Sequence, residues 1–487
     1  MADSVDFISL GEILRLLWAH LMLSEKYIAM DIMKKTTSLF AGIISLSTLA
    51  FADNEDFSGQ ILQGKDFSNN SYINTNFSNS ELDYSKFSKS TLTGANFTDS
   101  TITNVNFSGV IGFTEEQLKS TKSYKDKKLR SITFSDNDFS GWDFSGQNLE
   151  YSFMHDMTLV GTNFANADLT DAQFVDSVFT NADFTNAIVK GAAFHNATGL
   201  TYEQLKSTKS YQDKDLGSIA FYGGNLNGWD FRGQSMSEAN LGWTTLKNAT
   251  FVNADLSDAY FYHANMTNVD FRGANVEGTD FDSATYKNTI MSDGVIKDFS
   301  MASADDNFSI GKYTPASSGG AVISAKISES DATISGGAKL TLEQGAAFEI
   351  TNGKTLTVAS DGSIQIDTDL SGSTVFNIDG NAGLAFEDGA ILTVNVVDSI
   401  VAGEAYTFTV ISFDGDSAIA GLAGLIKGET LLLTINGVKF GGAWDYIVNG
   451  NSLSISISSI PEPATCAVAL GGLAIAFAFM RKTRKGA

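Results

Sequence analysis

The chain has 487 residues, a net charge of −24 and a pI near 4.4. So acidic a surface argues against binding nucleic acid through its phosphates, which needs Lys and Arg, and it fits a soluble, self-repelling exterior. A single cysteine, Cys466, excludes an internal disulfide, and the length is large for one domain.

Residues 1–52 read as a leader and signal peptide. Lys34 and Lys35 form a positive n-region, residues 39–49 a short apolar run, and Ala50-Phe51-Ala52 a small-x-small cleavage site. Cleavage after Ala52 makes Asp53 the first mature residue. The acidic stretch 1–29 fits a signal peptide badly, so translation is expected to start at Met30 or Met33.

From Phe57 onward every fifth residue is apolar or Tyr. The column runs from Phe57 to Phe107, resumes from Leu129 to Phe194, and resumes again from Leu216 to Tyr286. It holds 40 positions, half of them Phe, far beyond what a chain that is 43% hydrophobic would produce at random. Neither the helix period of 3.6 nor the strand period of 2 yields five, so the repeat marks a solenoid. Two residues before each central one a small residue recurs, as at Ala167, Ala172, Ser177, Ala182, Ala187 and Ala192, and again at Ala249, Ala254, Ala259, Ala264 and Ala274. Positions i and i−2 of an extended segment share a face. A large and a small residue therefore point inward together, while Asn, Asp, Thr, Ser and Gly fill the turns. The three prolines, Pro315, Pro461 and Pro463, all lie outside the arrays, as continuous backbone pairing requires.

This pattern resembles the pentapeptide-repeat family, through NADF at 181–184, NADL at 253–256 and Ala165-Asn166-Ala167-Asp168-Leu169. The resemblance implies an all-β fold: a right-handed quadrilateral parallel β-helix with four pentads per coil, so that residues 20 apart stack. Phe57, Phe77 and Phe97 would then form one ladder, and Leu62, Leu82 and Ile102 the next. The arrays are expected at 53–109, 129–198 and 216–291.

Two helical inserts, 110–128 and 199–215, separate the arrays. GFTEEQLKSTKSYKDKKL (112–129) is nearly repeated by GLTYEQLKSTKSYQDKDL (199–216). Thr114 with Gln117, and Thr201 with Gln204, have capping-box spacing. Each insert reads as a short helix that spaces or caps a coil rather than as a presented binding element. GWDF follows each (141–144 and 228–231), placing Trp142 and Trp229 in a slot usually held by a small residue; they read as wedges.

Residues 292–320 lose the period and read as a Ser/Gly/Ala-rich linker. From 321 to 459 inward pairs recur every eight residues: Leu340/Leu342, Phe348/Ile350, Leu356/Val358 and Ile364/Ile366. After a four-residue slip they return at Phe376/Ile378, Leu384/Phe386 and Leu392/Val394. This predicts a second β-solenoid-like domain, similar to the passenger regions of autotransporters. Longer strands at 406–413, 431–438 and 453–457 should close it. Asp361, Asp367, Asp369, Asp379, Asp388, Asp414 and Asp416 lie near its turns; the calcium-roll nonapeptide is absent, and they read as solvated turn residues.

Residues 460–487 contain Pro461-Glu462-Pro463, an apolar run at 464–480 and then Arg481, Lys482, Arg484 and Lys485. Seventeen residues are at the short end for a transmembrane helix, and the basic end would stay cytoplasmic. The tail resembles the PEP-CTERM sorting signal of Gram-negative bacteria. That implies Sec export, recognition of Pro461, Glu462 and Pro463 by an exosortase, which is a membrane protease or transpeptidase, and delivery to the cell surface, often with extracellular polysaccharide.

No chemistry of catalysis is legible. His155, His195 and His263 fall at outward or turn positions, Cys466 lies in the apolar run, and neither a phosphate-cradling loop nor zinc spacing occurs. An enzyme, a cofactor and a metal site are not expected. The favoured reading is an exported structural or adhesive surface protein. The resemblance also offers a DNA-mimicking gyrase binder of the quinolone-resistance type, which needs a cytoplasmic protein. Ice binding is weaker, since no aligned threonine ladder is evident.

Overall fold

The computed structural model describes residues 53–317, 321–398, 404–413, 418–420, 425, 427–440, 443–449 and 452–459. They fall into two compact units, one ending at Asn137 and one beginning at Asp138. The array expected at 129–198 is divided between them.

In the first unit each pentad carries one bridging residue, and bridges join residues 20 apart: Asp56 to Asn76, Asn76 to Asn96, Ile61 to Glu81, Glu81 to Thr101. Four pentads therefore make one coil. The expected phenyl ladder is present. Phe57 stacks on Phe77 at 5.3 Å and Phe77 on Phe97 at 5.2 Å, each pair 11° from parallel. Leu62 and Leu82 hold the next column by donating to the Glu81 and Thr101 carbonyls. The small inward slot is often Ser here, and burial is tolerated because the hydroxyl bonds backward. Ser80, Ser90 and Ser100 donate to the carbonyls of Phe77, Phe87 and Phe97.

The corner of each pentad lies two residues after the central one and adopts a left-handed backbone. Asn69, Asn74, Asn79 and Asp99 have φ between 54° and 60°, a region that Asn and Asp reach more easily than other side chains. The repeat is thus a large residue buried in extended backbone and a turn-former at the corner. That is why its sequence period is five.

The insert of this unit is two short helices, α1 (Glu115–Ser120) and α2 (Lys122–Lys125). The capping box between Thr114 and Gln117 is formed. Gln117 also donates from Nε2 to the Leu92 and Ala95 carbonyls at 2.8 and 2.7 Å. The ladder runs on through the insert: Asp99 donates to Ser120, Lys122 to Ser100, and Ile102 to the Ser123 hydroxyl. Asn106 pairs with Thr133, so this coil has 27 residues in place of 20.

The second unit repeats the device. Helices α3 (Tyr202–Ser207) and α4 (Lys209–Gln212) widen one coil, with Ala193 pairing to Ala220. Gln204 forms the capping box of α3 with Thr201 and donates to the Phe179 and Ala182 carbonyls. Phenyl ladders flank the insert, through Phe144, Phe164 and Phe184 and through Phe231, Phe251 and Phe271. Across both units all central residues are buried except Phe57, Val276, Phe281 and Tyr286.

The described part of the expected linker, residues 292–317, is not a plain linker. Ile296–Lys297 pairs antiparallel with Thr289–Ile290, and Asn307–Ile310 is the first strand of the next sheet. The side chains that hold this stretch lie far back in the array, so its own composition does not announce them. Arg272 is wholly buried and paired with Asp270, 2.6 Å from Nη2 to Oδ2. It also donates to the Gly311 carbonyl at 2.8 Å, with its guanidinium 5.7 Å from the Tyr313 ring centre. Asn253 joins Tyr313 and the Thr314 carbonyl, and Lys287 reaches Asp306 at 2.6 Å.

Beyond it the chain winds a three-sided parallel solenoid. One sheet stacks Asn307–Ile310, Lys339–Leu342, Ser363–Thr368, Ile391–Val396 and Leu431–Ile435. A second stacks Ala325–Ile327, Ala347–Ile350, Val375–Ile378 and Tyr406–Phe413. The third holds Ala332–Ile334, Thr355–Val358, Gly383–Phe386 and Ala418–Ala420. Three eight-residue segments make the coil from Leu340 to Ile364, and the next, from Ile364 to Leu392, has 28 residues. The extra residues form a turn that Asp369 organises by accepting from Ser371 and from the Ser373 amide. Antiparallel strands Ser452–Ser459 and Ala443–Asn449 close the second sheet.

Among the described residues no helix is long and apolar enough to cross a membrane. The expected transmembrane run at 464–480, with Pro461, Glu462 and Pro463, lies outside them, as do the leader, Ala50 and Ala52.

Candidate interaction surface

Asp53 is the first described residue and caps the first coil. Its carboxylate accepts from the Ser71 hydroxyl at 2.6 Å and the Ile73 amide at 2.9 Å. Asp361 and Asp367 of the second solenoid are used in the same way. Asp361 accepts from the Gly336 amide, and Asp367 from Gln365 and Asn395. Asp414 and Asp416 lie outside the described residues. Among those described, no group of three or more His, Cys, Asp or Glu side chains is arranged to hold a metal.

Trp229 is buried against the second insert, 5.7 Å from both the Tyr202 and the Phe221 rings. Tyr211 completes the contact: its hydroxyl lies 2.8 Å from that of Tyr202 and donates to the Asp230 carbonyl. Burial, then the Tyr202 hydrogen bond, push the Tyr211 hydroxyl well above its ordinary pKa. Trp142 instead stacks on Phe139 at 3.8 Å.

What sequence reasoning missed is a strip on one side of the second unit. A single ladder runs Phe153, Gln173, Ala193, Ala220, Asn240, Tyr260 and Asp280. Beside it, amide-to-carbonyl bonds link the edge formed by His195, Tyr222, Gly242 and Tyr262 to the neighbouring corner residues Asp176, Asn196, Gly223 and Trp243. Exposed Phe153, Tyr222, Trp243, Tyr260 and Tyr262 all fall here, and exposed Tyr151 turns the corner just before Phe153. These six are the exposed Phe, Tyr and Trp residues among the described part of this unit. The three histidines of the described residues, His155, His195 and His263, share the same side.

The rings meet in local groups along the strip. Phe153 meets His155 at 5.9 Å and His195 meets Tyr222 at 5.7 Å. At the far end Trp243 lies 4.3 Å from His263, which is 4.1 Å from Tyr262. Gly242 is buried between the tyrosines, and a Cβ there would crowd Asn240 Oδ1 at 3.2 Å and Tyr222 Cδ2 at 3.3 Å. Trp243 has φ 58° and is 51% exposed. That backbone belongs to the corner position itself, since Tyr84, Lys89 and Tyr151 share it. Burial holds the His195 imidazole below its usual pKa, against the pull of Asp176, and leaves Nε2 buried with no hydrogen-bond partner. The strip therefore offers aromatic faces and neutral hydrogen-bonding groups without Lys or Arg.

The family model for pentapeptide repeats matches eight copies, at residues 73–110, 162–198, 215–251 and 249–285. No curated protein matches the chain. Among solved structures it is similar to HetL, a pentapeptide repeat protein involved in heterocyst differentiation regulation in the cyanobacterium Nostoc. The two are 18% identical, the match covers 52% of this chain and 95% of HetL, and the TM-score is 0.18. A pentapeptide repeat protein of the Arabidopsis thaliana thylakoid lumen is 26% identical over 27% of this chain and 70% of its own, with a TM-score of 0.12. QnrB1, a plasmid-mediated fluoroquinolone resistance protein, is 14% identical over 47% of this chain and 88% of its own, with a TM-score of 0.17. The arrays are pentapeptide repeats.

Proposed function

We propose, for a chain whose arrays are pentapeptide repeats, that it is an exported structural and adhesive protein displayed at the cell surface. The observation that carries the adhesive half is the strip: the exposed aromatic residues of the second unit gather on one side of a continuously paired scaffold. Aromatic side chains supply large contact areas at interfaces, and a backbone-paired coil holds them in fixed register. The export half draws on the signal-like stretch before Asp53 and on the tail from Pro461.

The tail is a transit device in this reading. Proline on either side of Glu462 favours an extended segment ahead of the apolar run, the form in which a protease binds its substrate. Deleting 461–487 should release soluble protein to the periplasm or medium. Replacing Pro461, Glu462 and Pro463 with Ala should hold full-length protein in the inner membrane. Mass and membrane fractionation beside wild type distinguish the two. An alanine variant that reaches the surface at unchanged mass would leave only a plain anchor.

A further inference from the structure

We infer that the strip from Phe153 to His263 is a binding track for a neutral glycan chain lying along the solenoid axis. The inference rests on the adhesive reading of the same side and names its ligand class.

Three features select that class. The first is charge. The strip carries Asp156 and Asp176 at its corner and ends at Asp280 and Asp282, with no cation between. An anionic polymer is repelled, and so is a second copy of a chain at −24.

The second is alternation. Exposed rings are interleaved with Gln173, Asn196 and Asn240 rather than fused into one apolar patch. A sugar unit has the matching character: C–H groups on one face, polarised positive, and hydroxyls around its edge. The negative face of an aromatic ring attracts the former, and amide side chains pair with the latter.

The third is periodicity. Rungs of a β-ladder are about 4.8 Å apart, so the strip presents its groups at regular steps along one direction. A linear polymer can meet such an array repeatedly, whereas a compact small molecule would meet one or two rungs.

The test is native affinity electrophoresis of the purified full-length protein in gels containing dextran, mannan, hydroxyethylcellulose or, as the anionic control, alginate. At least one neutral polymer should retard the wild type, and alginate should not. The double variant Trp243→Ala/Tyr262→Ala should bind about tenfold more weakly, as the loss of two stacking contacts implies. Tyr84→Ala, in the first unit, should bind as wild type. Both changes are at exposed positions, and unchanged circular dichroism shows that the fold is kept. The inference is overturned if no neutral polymer retards the protein, if the double variant is retarded as strongly as wild type, or if alginate acts equally. It is also overturned if light scattering shows a dimer that the double variant dissolves, because the strip is then a self-association face. Binding is read on purified protein, so a protein that binds glycan yet stays in the cytoplasm would defeat only the export proposal.

Discussion

Phe179→Asp should abolish the cooperative folding of the second array, while Asn181→Asp, two residues away, should leave it intact. Phe179 is fully buried, with the Phe174, Phe184 and Phe194 rings 5.2 to 5.7 Å away. Its carbonyl also receives the Gln204 side chain of the second insert. Emptying a phenyl site costs about 3–5 kcal/mol, and an unpaired carboxyl there adds several more. Typical domain stabilities are about 5–15 kcal/mol, so the sum is enough to unfold neighbouring coils. Asn181 sits exposed at a corner with φ 58°. Asp adopts that conformation as readily as Asn, and surface changes of this kind usually stay within about 0.5 kcal/mol. Urea unfolding followed by far-ultraviolet circular dichroism measures both. Equal losses would contradict the assignment of one residue inward and the other to the corner.

Arg272→Ala should be the second severe change. Removing the guanidinium leaves the mostly buried Asp270 carboxylate without its partner and the Gly311 carbonyl without its donor. Breaking a buried pair from one side costs about 3–5 kcal/mol. Removing both charges, as Arg272→Met with Asp270→Asn, should recover much of that loss, and the double-mutant cycle should show strong coupling. The stretch 307–315 should become protease-sensitive in the single variant, because Tyr313 and Gly311 lose the same anchor. A single variant as stable as wild type would mean that this junction is held elsewhere.

The coil was legible because its determinants are local. One large residue, a small one two positions earlier and a turn-former two positions later recur in each pentad, so spacing put Phe57, Phe77 and Phe97 on one inward column, and the four-pentad coil that the resemblance implied put them in one ladder. The eight-residue period was legible for the same reason, and its four-residue slip is the turn around Asp369. Residues 292–317 were misread because Arg272, Asn253 and Lys287, which bind that stretch, belong to the array's own pattern and give no hint of a distant partner. The strip was hidden by register. His195 and Tyr222 are neighbours only if the second insert adds seven residues to its coil; stepping by 20 from His195 leads to Asp215, not Tyr222. Comparing the two inserts with the 20-residue coil would have supplied that correction. Corner residues such as Trp243 and Tyr84 carry no local mark either, since most corners are Asn, Asp or Gly.

The mature N-terminus of surface-accessible protein tests the proposed export most directly. Cells expressing the full sequence would be labelled with a membrane-impermeant biotin reagent, and the labelled protein sequenced from its N-terminus. The proposal predicts labelled protein that begins at or near Asp53. Unlabelled protein recovered from the cytoplasm with Met1 retained would contradict it and favour the DNA-mimicking alternative.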